Sequence, residues 1–400
     1  MNDPWTAFAH AAEGREVAGY FEAAPRDGAA VGRSVSFTVA EEVRFFTRRS
    51  SPGEEAQHAE RFLGGRPGRA VLGFLGFDAV GLFEPRLHTF PEGDPFPLGA
   101  FAMVERPTRA RVRARALGRA SGLRRATRRP LADSLPRARY ERSVGRIVRE
   151  IRNGEAYQVV LAHRRTWPRP SDLLTRAGRL RSTERYAFFF YLRFGDLELT
   201  GATPESVVEV AGDRAFLNPI AGTIPRGRGS RGRAPLALDP KELAEHRMLV
   251  DLARNDLGSV ARAGSVRLLS VERLERYARL EHLVTHVGAR LRPRVGPWQV
   301  LAAAFPAGTV SGAPKIRATE LLRREESSWR GPYAGTVGLL EPHGRADWAL
   351  AIRTGFAAHD RLYTAAGAGI VHRSDPRREF DETLAKLAQV EATLVGGDRP

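Results

Sequence analysis

YAFFFYLRF, residues 186–194, sets four phenylalanines and two tyrosines into nine positions. An aromatic run of that length, too short for a buried helix, predicts a strand. Upstream, YQVVLAH (157–163) predicts another. Before it, Tyr140, Val144, Ile147, Val148 and Ile151 mark one face of a helix that stops near Gly154. Further back, GFLGFDAVGLFE (73–84) reads as a strand passing into a turn. Helical and β-rich stretches alternate irregularly, so the expected fold is α+β: a mixed α/β sandwich of antiparallel-rich sheets with helices packed outside, not a doubly wound parallel fold. No GxGxxG or P-loop follows a strand, which leaves nucleotide chemistry without support. Neither an internal repeat nor a glycine/serine linker divides the chain. The basic stretch 107–130 is the best candidate joint, giving an N-terminal region, 1–130, packed into the same sandwich, and a main region, 131–400.

The 400 residues, 42% hydrophobic and 27% charged, suffice for a sizeable core. No apolar run reaches the ~18 residues of a membrane span, and residues 1–13 lack the basic-then-apolar layout of a secretory signal, so a cytoplasmic location is expected. With no cysteine, disulfides, thiolate zinc sites and cysteine nucleophiles are excluded; any metal must rest on carboxylate, imidazole or water. The formal charge of +17 raises binding to nucleic acid or another polyanion, a non-enzymatic alternative. Its distribution argues otherwise. Only Lys241, Lys315 and Lys386 are lysines, the pattern of a compositional preference for arginine. Arg109, Arg111, Arg113 and Arg115 alternate with small or apolar residues and have no interleaved aromatics, as in a solvated edge strand. No nucleic-acid partner is expected.

Four carboxylates draw attention by spacing. In DPKELAEHRMLVDLARNDLG (239–258), Glu242 and Glu245 lie three apart and share one side of a helix; SDPRREFDETLAK repeats this with Glu379 and Glu382, and Lys386 lies one turn beyond. Either pair alone fits a solvated helix face. Together they could converge on a hard divalent cation that keeps waters and takes an anionic substrate, the pattern of Mg²⁺. In TAAGAGIV (364–371), Gly367 and Gly369 read as a glycine-rich turn whose backbone N–H groups could approach a carboxylate, and Arg353 could bind one bidentately. A tight turn and a surface arginine are the plainer readings. FPAGTVSGAPK (305–315) and PIAGTIPRGRGSRGR (219–233) are loops that periodicity does not interpret.

In order along residues 140–390, the strings YQVVLAHR, GATPESVVEV, NPIAGTIPRG, KELAEHRMLVDLARNDLG, EHLVTHV, FPAGTVSGAPKIRATELL, GPYAGTVG, AIRT, AGAGIV and DETLAK resemble the signatures of the chorismate-utilising enzymes. That family includes the large subunits of anthranilate and aminodeoxychorismate synthases, isochorismate synthase and salicylate synthase. The resemblance implies the family's sandwich fold, with 131–400 as the chorismate-binding catalytic region, and Mg²⁺ as cofactor. It puts the magnesium-binding glutamates at Glu245 and Glu382, with Glu242 and Glu379 beside them. Substrate-binding positions fall on Tyr333, Arg353, Lys386, Gly367, Ala368 and Gly369, and on Ala221 and Gly222 of PIAGT. Glu205, after Thr-Pro, matches the general acid that protonates the departing C4 hydroxyl. His282 matches a position linked to loss of pyruvate, and Thr223 joins the catalytic group.

Two positions separate the family's reactions. Water-adding members resemble one another in carrying a lysine base where this chain has Gln158, and an amide cannot deprotonate water at neutral pH. Aminodeoxychorismate synthases often carry a lysine nucleophile where Ala221 stands, and a methyl group cannot attack. The resemblance thus implies ammonia adding at C2 of chorismate, then pyruvate elimination to anthranilate; aminodeoxychorismate or 2-amino-2-deoxyisochorismate synthesis is the alternative. A class-I glutaminase needs a cysteine, so ammonia would come from a separate glutaminase subunit.

Overall fold

A computed structural model of the chain describes residues 3–24, 31–47, 52–63, 68–87, 93–113, 129–183, 186–225, 240–276, 280–326 and 328–396. The N-terminal part runs α1 (Pro4–Ala12), β1 (Val17–Ala23), β2 (Val31–Phe37), β3 (Glu42–Phe46), α2 (Pro52–Leu63), β4 (Ala70–Leu75), β5 (Gly99–Val104) and β6 (Thr108–Arg113). After these come β7 (Ala132–Asp133), α3 (Arg137–Arg152), β8 (Gln158–Pro168), α4 (Leu173–Thr183), β9 (Phe188–Phe194) and β10 (Leu197–Thr203). The chain continues through β11 (Ser206–Ala211), β12 (Arg214–Leu217), β13 (Ile220–Pro225), α5 (Pro240–Gly258), β14 (Arg267–Arg276) and β15 (Leu280–Arg290). The last third comprises α6 (Pro297–Ala304), α7 (Gly308–Ser311), β16 (Gly312–Ala313), α8 (Lys315–Glu325), β17 (Thr336–Glu341), β18 (Arg345–Leu350), β19 (Thr354–Ala358), β20 (Arg361–Ile370) and α9 (Pro376–Leu394).

These strands form two antiparallel sheets, as the sequence predicts. The first has the order β16-β8-β20-β19-β10-β9-β1-β2-β6, with β7 beside β8; the second runs β13-β15-β12-β11-β18-β17-β4-β5-β3, with β14 beside β15. Strands from before residue 114 enter both: β1 pairs with β9, and β4 with β17. The arginine-bearing β6 pairs with β2 alone among the described strands and is an edge, as its alternation suggests.

The aromatic run owes its lack of polar alternation to burial on both faces. Phe188, Phe190, Leu192 and Phe194 of β9 point into the core between the sheets, and Phe194 meets Phe74 of β4 with ring centroids 6.4 Å apart. Phe189 and Tyr191 point the other way, into a second cluster with Trp5 of α1, Leu173 and Leu180 of α4, and Leu394 of α9. Helices thus cover the first sheet while the second covers its inner face. No described helix is long and apolar enough to cross a membrane.

Two crossovers join the sheets next to one another. Thr203, Pro204 and Glu205 carry the chain from β10 in the first sheet to β11 in the second, and residues 351–353 return it from β18 to β19. Because β10 pairs with β19 and β11 with β18, the two crossovers lie side by side, joined where the Leu350 N–H donates to the Glu205 carbonyl at 3.0 Å.

Candidate active site

Strand β19 leaves β20 early. Their pairing covers Gly355–Thr364 through Ala358–Arg361, so β20 runs on past Thr364 with β8 on one side and an open edge on the other. Gly367 sits in that open stretch. Its N–H lies within hydrogen-bonding reach of the Tyr333 phenol oxygen, and its carbonyl accepts from Lys386 Nζ at 2.9 Å. Burial pushes the Tyr333 hydroxyl up to about 12, so the phenol stays protonated; accepting from Gly367 leaves its own O–H to donate elsewhere. Lys386 also pairs with Glu382 at 2.7 Å, and both are half-exposed.

The neighbouring crossovers supply an acid and a guanidinium. Glu205 is buried, and desolvation raises its carboxyl to about 7 against the opposing pull of a hydrogen bond from Thr309 and the charges of Arg353 and Lys386. The Thr309 hydroxyl donates to Glu205 Oε1 at 2.6 Å. Arg353 occupies left-handed backbone, φ 52°, a conformation that costs a non-glycine residue about 1 kcal/mol or more and is kept where the surroundings hold it. An acid that can hold its proton near neutrality therefore lies within electrostatic reach of two cations, Arg353 and Lys386.

Tyr333 reaches this place through the early GFLGFDAVGLFE segment. Asp78 accepts from the backbone N–H groups of Arg330 and Gly331, both at 3.2 Å, and a Cβ at Gly76 would stand 2.7 Å from the Gly331 carbonyl oxygen. Only glycine lets the two segments close up. The fully buried Arg330 ties β8 to α7 and α8 by donating to the carbonyls of Val160 and Val310 and to Glu326.

Gly367 and Gly369 require a correction: they do not sit in a turn, since residues 366–370 are the second half of β20, paired residue by residue with β8. The glycines clear a floor. A Cβ at Gly369 would stand 2.5 Å from Gln158 Nε2, and Ala368, between them, points to the opposite face and is buried. Gln158 in turn donates from Nε2 to Glu245 Oε1 of α5 at 2.8 Å, while its buried Oε1 finds no partner among the described residues.

Glu245, on α5, meets Gln158 beside Gly369, and Glu382, on α9, pairs with the Lys386 that meets the Gly367 carbonyl, each on a helix as the spacing predicts. Glu379 lies one turn before Thr383 on α9 and is partly buried. Among the described residues no three acidic or imidazole side chains form a ready-made metal cage. Mg²⁺ does not need one: it is commonly held by one or two carboxylates, waters and an anionic ligand. Carboxylates and an orphaned amide oxygen make a hard donor set that fits it. The side chains of Ala221, Thr223, Glu242 and His282 lie outside the described residues. The backbone of β13 runs beside β15 with Ala221 opposite Leu283, which brings PIAGT, Gly222 included, and EHLVT together.

Thr309 is a site residue that periodicity missed, because FPAGTVSGAPK is irregular. It sits in α7, a four-residue helix, and the signal available was a hydroxyl between two glycines.

A buried acid held near neutrality within reach of two cations, at the crossovers between two antiparallel sheets, is the kind of perturbed titratable group that marks a candidate active site. The chain belongs to the chorismate binding enzyme family, whose model matches residues 16–392. It is 36% identical over 372 residues to anthranilate synthase component 1 of Pseudomonas putida, covering 82% of this chain and 74% of that one. It is 41% identical over 269 residues to the component 1 of Methanothermobacter thermautotrophicus, covering 66% of this chain and 58% of the relative. With the Haloarcula marismortui protein of the same name the 41% identity covers 65% of this chain and 50% of the relative, so the match spans about half the length of such relatives. Among solved structures, anthranilate synthase component I of Streptococcus pneumoniae superposes with a TM-score of 0.76 at 27% identity, over 92% of this chain and 93% of that one. An isochorismate synthase of Bacillus anthracis shares the fold, with a TM-score of 0.74 at 21% identity.

Proposed function

We propose that the chain aminates chorismate at C2 with ammonia in the presence of Mg²⁺ and then eliminates pyruvate to give anthranilate. The observation that carries this reading is Glu205, a buried carboxyl held near 7 beside Arg353 and Lys386. Arg353, Lys386 and the Tyr333 hydroxyl hold the substrate carboxylates. Ammonia's nitrogen forms the bond to C2, the ring double bonds shift, and the C4–O bond breaks as Glu205 gives its proton to the departing oxygen, which leaves as water. Bound Mg²⁺ offsets the repulsion between a substrate carboxylate and Glu245 and Glu382. Gln158 spends its amide N–H on Glu245 and has no basic nitrogen, which favours ammonia over water as nucleophile. Ala221 gives no covalent adduct, and His282 serves the elimination. The similar proteins are named component 1, which supports a second component; for a chain without cysteine, that partner is a glutaminase.

The test mixes chorismate, Mg²⁺ and an ammonium salt at mildly alkaline pH and follows anthranilate fluorescence with coupled pyruvate detection. Equimolar anthranilate and pyruvate are expected. An aminated product that keeps its enolpyruvyl group would show that elimination is missing, and 4-amino-4-deoxychorismate would overturn the inference from Ala221.

A further inference from the structure

The face of β8 turned away from Gln158 carries a polar chain that this chemistry does not use. The His163 side chain has no exposure and lies against the rings of Tyr140 and Phe380. Its Nδ1 is 2.9 and 3.1 Å from the two Asp133 carboxylate oxygens, and its Nε2 is 2.9 Å from Thr383 Oγ1. Asp133 is fixed in turn: β7 pairs with β8, and Asp133 Oδ1 accepts the Leu135 N–H at 3.1 Å. Burying an imidazole and a hydroxyl beside Tyr140 and Phe380, with a partly buried carboxylate next to them, costs desolvation that apolar packing would avoid. What the polar chain adds is direction.

Thr383 comes immediately after Glu382, lies four residues after Glu379 and three before Lys386. Apolar packing resists a roll of α9 without fixing it at one angle; a hydrogen bond to a held ring adds a directional restraint. A roll of about 20° would carry a carboxylate roughly 6 Å from the helix axis through about 2 Å, enough to spoil metal ligation. Other polar ties from α9 to the sheet include Lys386 to Gly367, itself a site contact, and Glu391 to Arg165 and Thr364, two turns further on.

We propose that His163, oriented by Asp133, is a positioning residue that fixes the rotation of α9 through Thr383 and so sets Glu379, Glu382 and Lys386 for the divalent cation and the substrate carboxylate. This role rests on Mg²⁺ being held by the α9 carboxylates, as proposed for the reaction itself. The test uses Thr383→Val, which keeps shape and removes the hydroxyl, with Thr383→Ser as rescue and Glu382→Gln as control. Mg²⁺ binding to the EDTA-stripped chain is measured by calorimetry without chorismate, and kcat and KM are measured separately. Thr383→Val should weaken Mg²⁺ about 10-fold and raise the chorismate KM, with kcat at saturating Mg²⁺ within about twofold of wild type. Thr383→Ser should restore both. Asp133→Asn, which leaves His163 in place but less well oriented, should shift Mg²⁺ affinity in the same direction, and carries the test if Thr383→Val melts early. Wild-type Mg²⁺ affinity in Thr383→Val and Asp133→Asn, with Glu382→Gln weakened, would overturn the positioning role alone. Unchanged affinity in Glu382→Gln would remove the magnesium reading and this inference with it.

Discussion

Burial holds the Glu205 carboxyl near 7, above its ordinary value, so the folded chain binds this proton more tightly than the unfolded chain does. The resulting stabilisation is complete below the unfolded value and is lost as pH rises through about 7. Glu205→Gln keeps the shape of the protonated acid without its charge. It should therefore melt at the wild-type temperature near pH 4 and above it at pH 8, by an amount on the order of 3 kcal/mol, which thermal scans at both pH values would show. The same variant should lose about 10²- to 10⁴-fold in kcat while still binding chorismate. An unchanged kcat would give Glu205 a structural role. The glutamate was legible in the sequence through the resemblance of GATPES to a known signature, but its environment was not. Nothing in the sequence reveals that Pro204 lies between two sheets, or that Thr309, a hundred residues on, caps the carboxylate.

At the scale of elements, the two carboxylate-bearing helices were readable from the three-residue spacing of their glutamates, and in α9 the structure adds a cap. Asp375 accepts from the N–H groups of Arg377 and Arg378, Pro376 occupies the first turn, and Glu379 and Glu382 fall on neighbouring turns as the 3.6-residue repeat requires. AGAGIV was misread for a physical reason. Glycine lowers strand propensity and usually signals a turn, whereas here it clears space against Gln158, a partner more than two hundred residues away. Glu245 on α5 is tied to Gln158 and Glu382 on α9 to Lys386, so in the proposed reaction a chorismate carboxylate bound near both would meet like charge without a cation. EDTA should abolish turnover, and added Mg²⁺ should restore it. Glu245→Gln or Glu382→Gln should raise the Mg²⁺ needed for half-maximal rate at least about 10-fold; full activity of either variant in metal-free buffer would sink the assignment.

For the whole molecule, the aromatic run announced a strand and the irregular alternation announced antiparallel sheets; burial of that strand on both faces came from the structure. Which strand joins which sheet was not legible, because Pro204 marks a break between two strands without saying that the chain crosses there from one sheet to the other. Composition bears on function at this scale through what is missing. Releasing ammonia from glutamine by the class-I route requires a thiolate to form a glutamyl thioester, and no cysteine stands anywhere in the 400 residues. The purified chain should therefore make anthranilate from ammonium salts and release no glutamate from glutamine, with a rate at fixed total ammonium that first rises with pH as more ammonia is unprotonated. Above about pH 7 the loss of the Glu205 proton opposes that rise, so kcat/KM expressed against free ammonia should fall with increasing pH. Adding a glutaminase component should confer glutamine-dependent turnover on the pair without changing the ammonium-dependent product. Glutamate release by the rigorously purified single chain would overturn the division of labour, since some group other than a thiol would then have to attack the amide.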